Sequence, residues 1–160
     1  MQRRRLGRLA LVLAVGVNMT GYDEPTREGV RIMTAAWPPE AMQRIVRAEE
    51  LEIAARRADG TLRRRVPVWV VGVGGRIYVR TWHRRDTGWF GQVLDSRRAR
   101  IRVPDLEADV AVVDIGQRDA DLRADVDAAY RTKYGHYGAT SLDRMLTDAA
   151  AAATLRLVPE

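Results

Sequence analysis

The residues of this 160-residue chain most suited to chemistry crowd into one stretch. Residues 53–103 carry thirteen arginines against three acids, a net charge of +10, whereas residues 104–160 carry a net −5. Arginine presents a planar fork of donors that matches the oxygens of an anion. Charge concentrated in one strand-rich block suits a small anionic ligand better than a long polyanion track. Nucleic-acid binding through residues 53–103 stands as a lesser alternative. The rest of the inventory excludes much. There is no cysteine, which removes disulfides, thiolate nucleophiles and cysteine-ligated metals. His83 and His136 alone are too few for a histidine-rich centre, so no metal site is expected.

Other motifs read as structure. Tyr130 and Lys133 are one residue short of a dehydrogenase Tyr-x-x-x-Lys pair. Gly72-Val73-Gly74-Gly75 is a hairpin turn, since no helix follows it as a dinucleotide fingerprint requires. Ser96 lacks the Gly-x-Ser-x-Gly elbow, and the acids of residues 105–127 show no spacing that singles out a glycosidase pair. Arg63-Arg64-Arg65 reads as a solvated face and His83 as a loop residue. Tyr130, Tyr134 and Tyr137 form an aromatic stripe expected to pack a helix onto the barrel or a partner subunit.

The elements that position the basic block follow from pattern. Trp37-Pro38-Pro39-Glu40 opens a helix, with proline in its first turn and an acid favouring the dipole. Ile53–Arg57 is a first short strand ended by the Asp59-Gly60 turn. The apolar, β-branched run Val66–Val73 predicts a central strand, with Pro67 at an edge or bulge. Gly74-Gly75 turns the chain into a strand in which Ile77, Val79 and Thr81 alternate with Tyr78, Arg80 and Trp82. Asp86 or Thr87 caps a short helix carrying Trp89, Phe90, Val93 and Leu94. Arg98–Val103 and Ala108–Ile115 are strands around a Pro104-Asp105 turn. Asp119 caps a helix ending at Gly135, an alanine-rich helix spans Leu142–Ala153, and Thr154–Val158 is a terminal strand. Short antiparallel strands with flanking helices predict an α+β fold, a small antiparallel barrel.

At the N-terminus, Arg3-Arg4-Arg5 followed by apolar Leu9–Val17 has the order of an export signal, but no cleavage site follows and the run is too short to span a bilayer. Residues 1–32 are expected to be a disordered or mis-assigned extension, with the domain occupying 33–160 from Met33. A cytoplasmic location and no membrane partner are expected.

Arg57-Ala58-Asp59-Gly60-Thr61 with Pro67-Val68-Trp69-Val70, then Tyr78-Val79-Arg80-Thr81, resemble the opening strands of the pyridoxamine-phosphate-oxidase-like split β-barrels. Trp89-Phe90-Gly91-Gln92-Val93 is similar to the Trp-Tyr-x-Asn-Leu helix of their deazaflavin-dependent nitroreductase branch. Including Ala129-Tyr130-Arg131-Thr132-Lys133-Tyr134-Gly135, the overall pattern looks most like an uncharacterised bacterial family near that superfamily. The resemblance implies a homodimer binding FMN or a deazaflavin coenzyme and reducing a small organic substrate. On that reading Arg57, Arg80, Arg84 and Arg85, with the Thr81 hydroxyl, hold the phosphate. Trp69, Trp82 and Trp89 wall the ring. Gln92 and Val93 depart from the branch's Asn and Leu, and Trp89 stands where flavin-binding relatives carry lysine. Hydride chemistry belongs to such a cofactor, so no catalytic acid or base is named. A non-catalytic dimeric barrel that binds haem or another anionic small molecule is the alternative.

Overall fold

The computed structural model describes residues 35–160 apart from Arg84, Thr87 and Gln117. The expected extension over residues 1–32, the Met33 start and the Thr87 cap lie outside the described residues. Helix α1 (Pro39–Arg47) begins where its prolines predict, with Glu40 in its first turn and Arg44 and Arg47 in its last. Strands β1 (Leu51–Ala55), β2 (Val66–Val68), β3 (Val70–Val73) and β4 (Arg76–Arg80) follow. Next come helix α2 (Gly88–Ser96), strands β5 (Arg98–Val103) and β6 (Leu106–Asp114), and helix α3 (Ala120–Tyr134). A 3-10 turn (Gly135–Tyr137), helices α4 (Ala139–Met145) and α5 (Asp148–Ala152), and strand β7 (Thr154–Pro159) complete the described chain.

All seven strands form one antiparallel sheet in the order β2-β1-β5-β6-β7-β4-β3. Its two edge strands are consecutive in sequence, separated only by Trp69. The chain thus ties the ends of the sheet together into a nearly closed barrel, the expected α+β architecture. This corrects the single central strand expected over 66–73. Val66–Val68 pairs with β1, and Val70–Val73 leaves it to pair with β4. Pro67 accordingly sits on an edge strand, where its missing donor is tolerated.

The barrel interior is aliphatic. Ile53, Val70, Ile77, Val79, Ile101, Val110, Leu155 and Leu157 are buried there, with Phe90 and Val93 of α2 and Ile45 of α1 packed against them. Gly91 has a local cause: a Cβ there would lie 2.9 Å from the Asp86 carbonyl, so α2 meets the preceding loop backbone to backbone. The Gly74-Gly75 hairpin takes φ values of +56° and +72°, as its sequence predicts.

Helix α3 covers the outer face of β3 and β4, burying Val71 and Tyr78 beneath Val126, Tyr130 and Tyr134. It is capped as expected, Asp119 accepting from the Leu122 amide at 2.9 Å. The single helix expected over 142–153 is two helices instead. Leu146 interrupts it, and Thr147 starts α5 by accepting from the Ala150 amide at 3.1 Å. Among the described residues, no helix is long and apolar enough to cross a membrane.

Candidate ligand pocket

The switch at Trp69, the end of β4 and the start of α2 converge on one cavity of about 230 Å³. Trp69, Trp82 and Trp89 wall it together with Pro67 and Met145; Arg80, Thr81, His83 and Glu50 supply its polar groups. Trp69 is fixed by an almost parallel stack on Tyr134, with centroids 4.2 Å apart. Trp82 stands nearly perpendicular to Trp69 at 6.5 Å and is 42% exposed. The aromatic surface continues to Tyr137, 5.4 Å from Trp69.

Arg80 forms the inner end of the pocket and is only 2% exposed. Its Nη1 donates to the Asp127 carboxylate and, at 3.0 Å, to the Met145 carbonyl. Its Nε donates to Thr154 Oγ1 at 2.8 Å, and the Tyr130 ring lies against the guanidinium, 5.5 Å from centroid to Cζ. Nη2 makes no hydrogen bond among the described residues. Beside it, buried Thr81 accepts from the His83 amide at 3.1 Å, which leaves its hydroxyl hydrogen to donate.

Hydrogen bonds from α3 hold the strand switch. The Val70 amide donates to Tyr134 Oη at 2.9 Å, and Lys133 donates to the Ala48 and Val70 carbonyls at 2.7 Å each. Burial lowers the Lys133 ammonium to about 8 and pushes the Tyr130 and Tyr134 hydroxyls upward. A backbone that changes partner strand exposes orphan polar groups, and these side chains supply the missing partners.

Of the residues expected to hold a cofactor, the structure brings Trp69, Arg80, Thr81, Trp82 and Trp89 to this cavity. Arg57 is not among its lining residues and donates within its own turn, to Thr61 Oγ1 at 3.2 Å and the Leu62 carbonyl at 2.9 Å. Arg85 turns away to Asp114, at 2.6 Å, and to the Ala152 carbonyl. Arg84 lies outside the described residues. Sequence reasoning missed Asp127, Glu50 and Met145. Asp127 had a signal, because it shares the stripe of Tyr130 and Tyr134 at i, i+3 and i+7. Glu50 had none.

The electrostatics also differ from the sequence-level charge map. Within residues 53–103, Arg56, Arg65, Arg80, Arg85, Arg98, Arg100 and Arg102 are all paired with carboxylates. Two of them, Arg56 and Arg100, hold Asp109 down to about 2. The basic block is thus largely neutralised by acids of the neighbouring segments.

Among solved structures, the chain is similar to the conserved hypothetical protein Rv2991 of Mycobacterium tuberculosis, at 12% identity and a TM-score of 0.53 over 79% of this chain and 82% of that one. It is similar to HutZ, the heme storage protein of Vibrio cholerae, at 16% identity and a TM-score of 0.53 over 78% and 91%. A FAD-binding protein of Mesorhizobium loti matches at 14% identity and a TM-score of 0.49 over 79% and 91%. The first two likenesses show a shared fold, the split β-barrel. No curated protein matches the sequence. A family model matches residues 41–157, and the chain therefore belongs to DUF2255, the family of an uncharacterized protein conserved in bacteria.

Proposed function

We propose that the pocket holds the flat ring of a flavin or deazaflavin coenzyme in a homodimeric split barrel that reduces a small organic substrate. The observation that carries this reading is the buried Arg80 guanidinium, whose Nη2 makes no hydrogen bond among the described residues, on a cavity walled by three tryptophans. A tricyclic ring with a carbonyl edge needs both features: apolar faces to stack on, and a donor at the edge. Arg80 Nη2 and the Thr81 hydroxyl serve that edge, while Asp127 balances the guanidinium charge. Such a ring supplies hydride transfer when bound. The chain binds it, orients it and excludes water from its faces.

At about 230 Å³ the cavity is below the roughly 300–1,000 Å³ of drug-sized ligand sites. It therefore takes the ring alone, and a phosphate tail lies outside it. Arg57 and Arg85 are engaged elsewhere, so Arg84 is the remaining arginine to test against the tail.

Titration with FMN and with the deazaflavin coenzyme, followed by fluorescence and anisotropy, tests the reading. Saturable binding of either, weakened in Thr81→Val without loss of stability, is expected. A wild-type protein that binds neither would overturn it. Light scattering tests the homodimer.

A second reading has its own observation. The exposed His83 imidazole lies on the same pocket, 5.3 Å from the Trp82 ring, and imidazole is an axial haem ligand. HutZ, of the same fold, is named a heme storage protein. A Soret band on haem addition, absent in His83→Ala, would favour this reading over the flavin one.

A further inference from the structure

The two ends of the pocket are opposite in polarity. At the inner end Asp127 balances Arg80. Glu50, an exposed residue and therefore at the mouth, also lines the pocket, with no cation bonded to it among the described residues. This is notable in a chain of net charge +6, whose strand-borne Glu52, Glu107 and Asp109 are each held by arginine. Three tryptophans line the same pocket as Glu50. Tyr134 covers one face of Trp69, and Trp82 stands at 77° to Trp69, so the two indoles make an aromatic corner. Indole faces attract cations through their quadrupole, most strongly where water is partly excluded. The backbone beside Glu50 is fixed as well, because Tyr134 Oη donates to the Glu49 carbonyl at 2.7 Å and Lys133 to the Ala48 carbonyl.

The geometry points to an organic cation of the alkylammonium class as a ligand of this mouth, held in the Trp69–Trp82 corner with Glu50 as its counter-charge. The inference rests on this cavity being a ligand site but not on the identity of the ring at its inner end. It gives the ligand class: a small molecule bearing a protonated or quaternary amine, which shares the Trp69 and Trp82 walls with a bound ring and so competes with it.

The test compares choline with 3,3-dimethylbutan-1-ol, which has the same shape with carbon in place of the charged nitrogen. Each is titrated into the full chain, with and without FMN, and followed by tryptophan fluorescence. Choline is expected to saturate, with the neutral alcohol and the Glu50→Gln variant each weaker by roughly tenfold. Glu50 is exposed, so Glu50→Gln is expected to keep the wild-type urea midpoint. Equal binding of the alcohol, unchanged choline affinity in Glu50→Gln, or no response to choline would each overturn the inference. FMN binding is read separately: choline binding without FMN binding would sustain the cation site and reject the flavin reading. The reverse result would do the opposite.

Discussion

The interior of the barrel and the layer beneath α3 are both buried, yet they are built on different physics. Inside the barrel, aliphatic side chains such as Ile53, Ile101 and Leu157 interdigitate, and the Trp37 indole bonded to the Leu157 carbonyl at 3.0 Å is a polar contact at its margin. Beneath α3 lie three tyrosines, a buried arginine with its aspartate, and a half-buried lysine, tied by hydrogen bonds to residues tens of positions away. Apolar packing tolerates substitution when volume is kept, whereas a satisfied polar network admits few arrangements. The pocket is attached to the second kind of core. Its inner-end donor and its Trp69 wall are both held by that network.

The largest effects should come from breaking each core in its own way. Asp127→Ala leaves the Arg80 charge buried without its partner and is expected to cost about 3–5 kcal/mol. Ile101→Ala opens a cavity in the barrel and is expected to cost about 2–5 kcal/mol. Urea denaturation will not separate the two, but cofactor titration will. Ile101→Ala keeps cofactor affinity in the folded fraction, and Asp127→Ala loses it. The paired replacement Arg80→Met with Asp127→Leu should recover most of the stability and none of the affinity. Recovery of both would show that Arg80 only supports the fold.

The polar core also predicts a distinctive pH response. Lys133 is lowered to about 8 from 10.5 by burial. Between those values the unfolded chain holds a proton that the folded chain has released, so stability rises with pH across that window. Tyr130 and Tyr134 are shifted upward, so above about pH 10 the folded chain keeps protons that the unfolded chain loses, and stability falls again. Urea midpoints between pH 7 and 11 should pass through a maximum. Lys133→Met should remove the rise and leave the fall. A rise that persists in the variant would place its origin elsewhere.

The same contrast explains what the sequence could reveal. Elements governed by neighbours in sequence were legible: α3 between its Asp119 cap and Gly135, the Gly74-Gly75 hairpin, and the alternation of Arg100 and Arg102 with Ile101 and Val103 on β5. The break at Trp69 was not, because the groups that stabilise it, Tyr134 Oη and Lys133 Nζ, lie more than sixty residues downstream. The alanine-rich segment likewise reads as one helix until the Thr147 cap divides it. At the candidate pocket, the convergence of the three tryptophans, Arg80 and Thr81 was legible from the ordered motifs. The pairing of Arg80 with Asp127 was not, since an ion pair across 47 residues leaves no local pattern.

Trp82 sharpens the comparison further. It belongs to the pocket but, being 42% exposed, contributes little burial to either core. Trp82→Ala should leave the urea midpoint within error and weaken the bound ring by about 0.5–1.5 kcal/mol, from twofold to roughly tenfold. A clear loss of stability would instead make Trp82 a packing residue.

The smallest effect belongs to a third region, the solvent face of β1, β5 and β6. There Glu52, Arg102, Glu107, Arg100, Asp109 and Arg56 alternate in sign across neighbouring strands. The Glu52–Arg102 bond is exposed, so water and salt screen what the pairing gains. Glu52→Gln removes the carboxylate charge facing Arg102 and should leave the denaturation midpoint unchanged at 0.15 M salt. Lowering the ionic strength should reveal only a slight loss. The Asp127 pair is sheltered from solvent and should respond far less to salt. A salt dependence as weak for Glu52→Gln as for Asp127→Ala would mean that this face is covered in solution, and a second copy of the chain would then be the first occupant to look for.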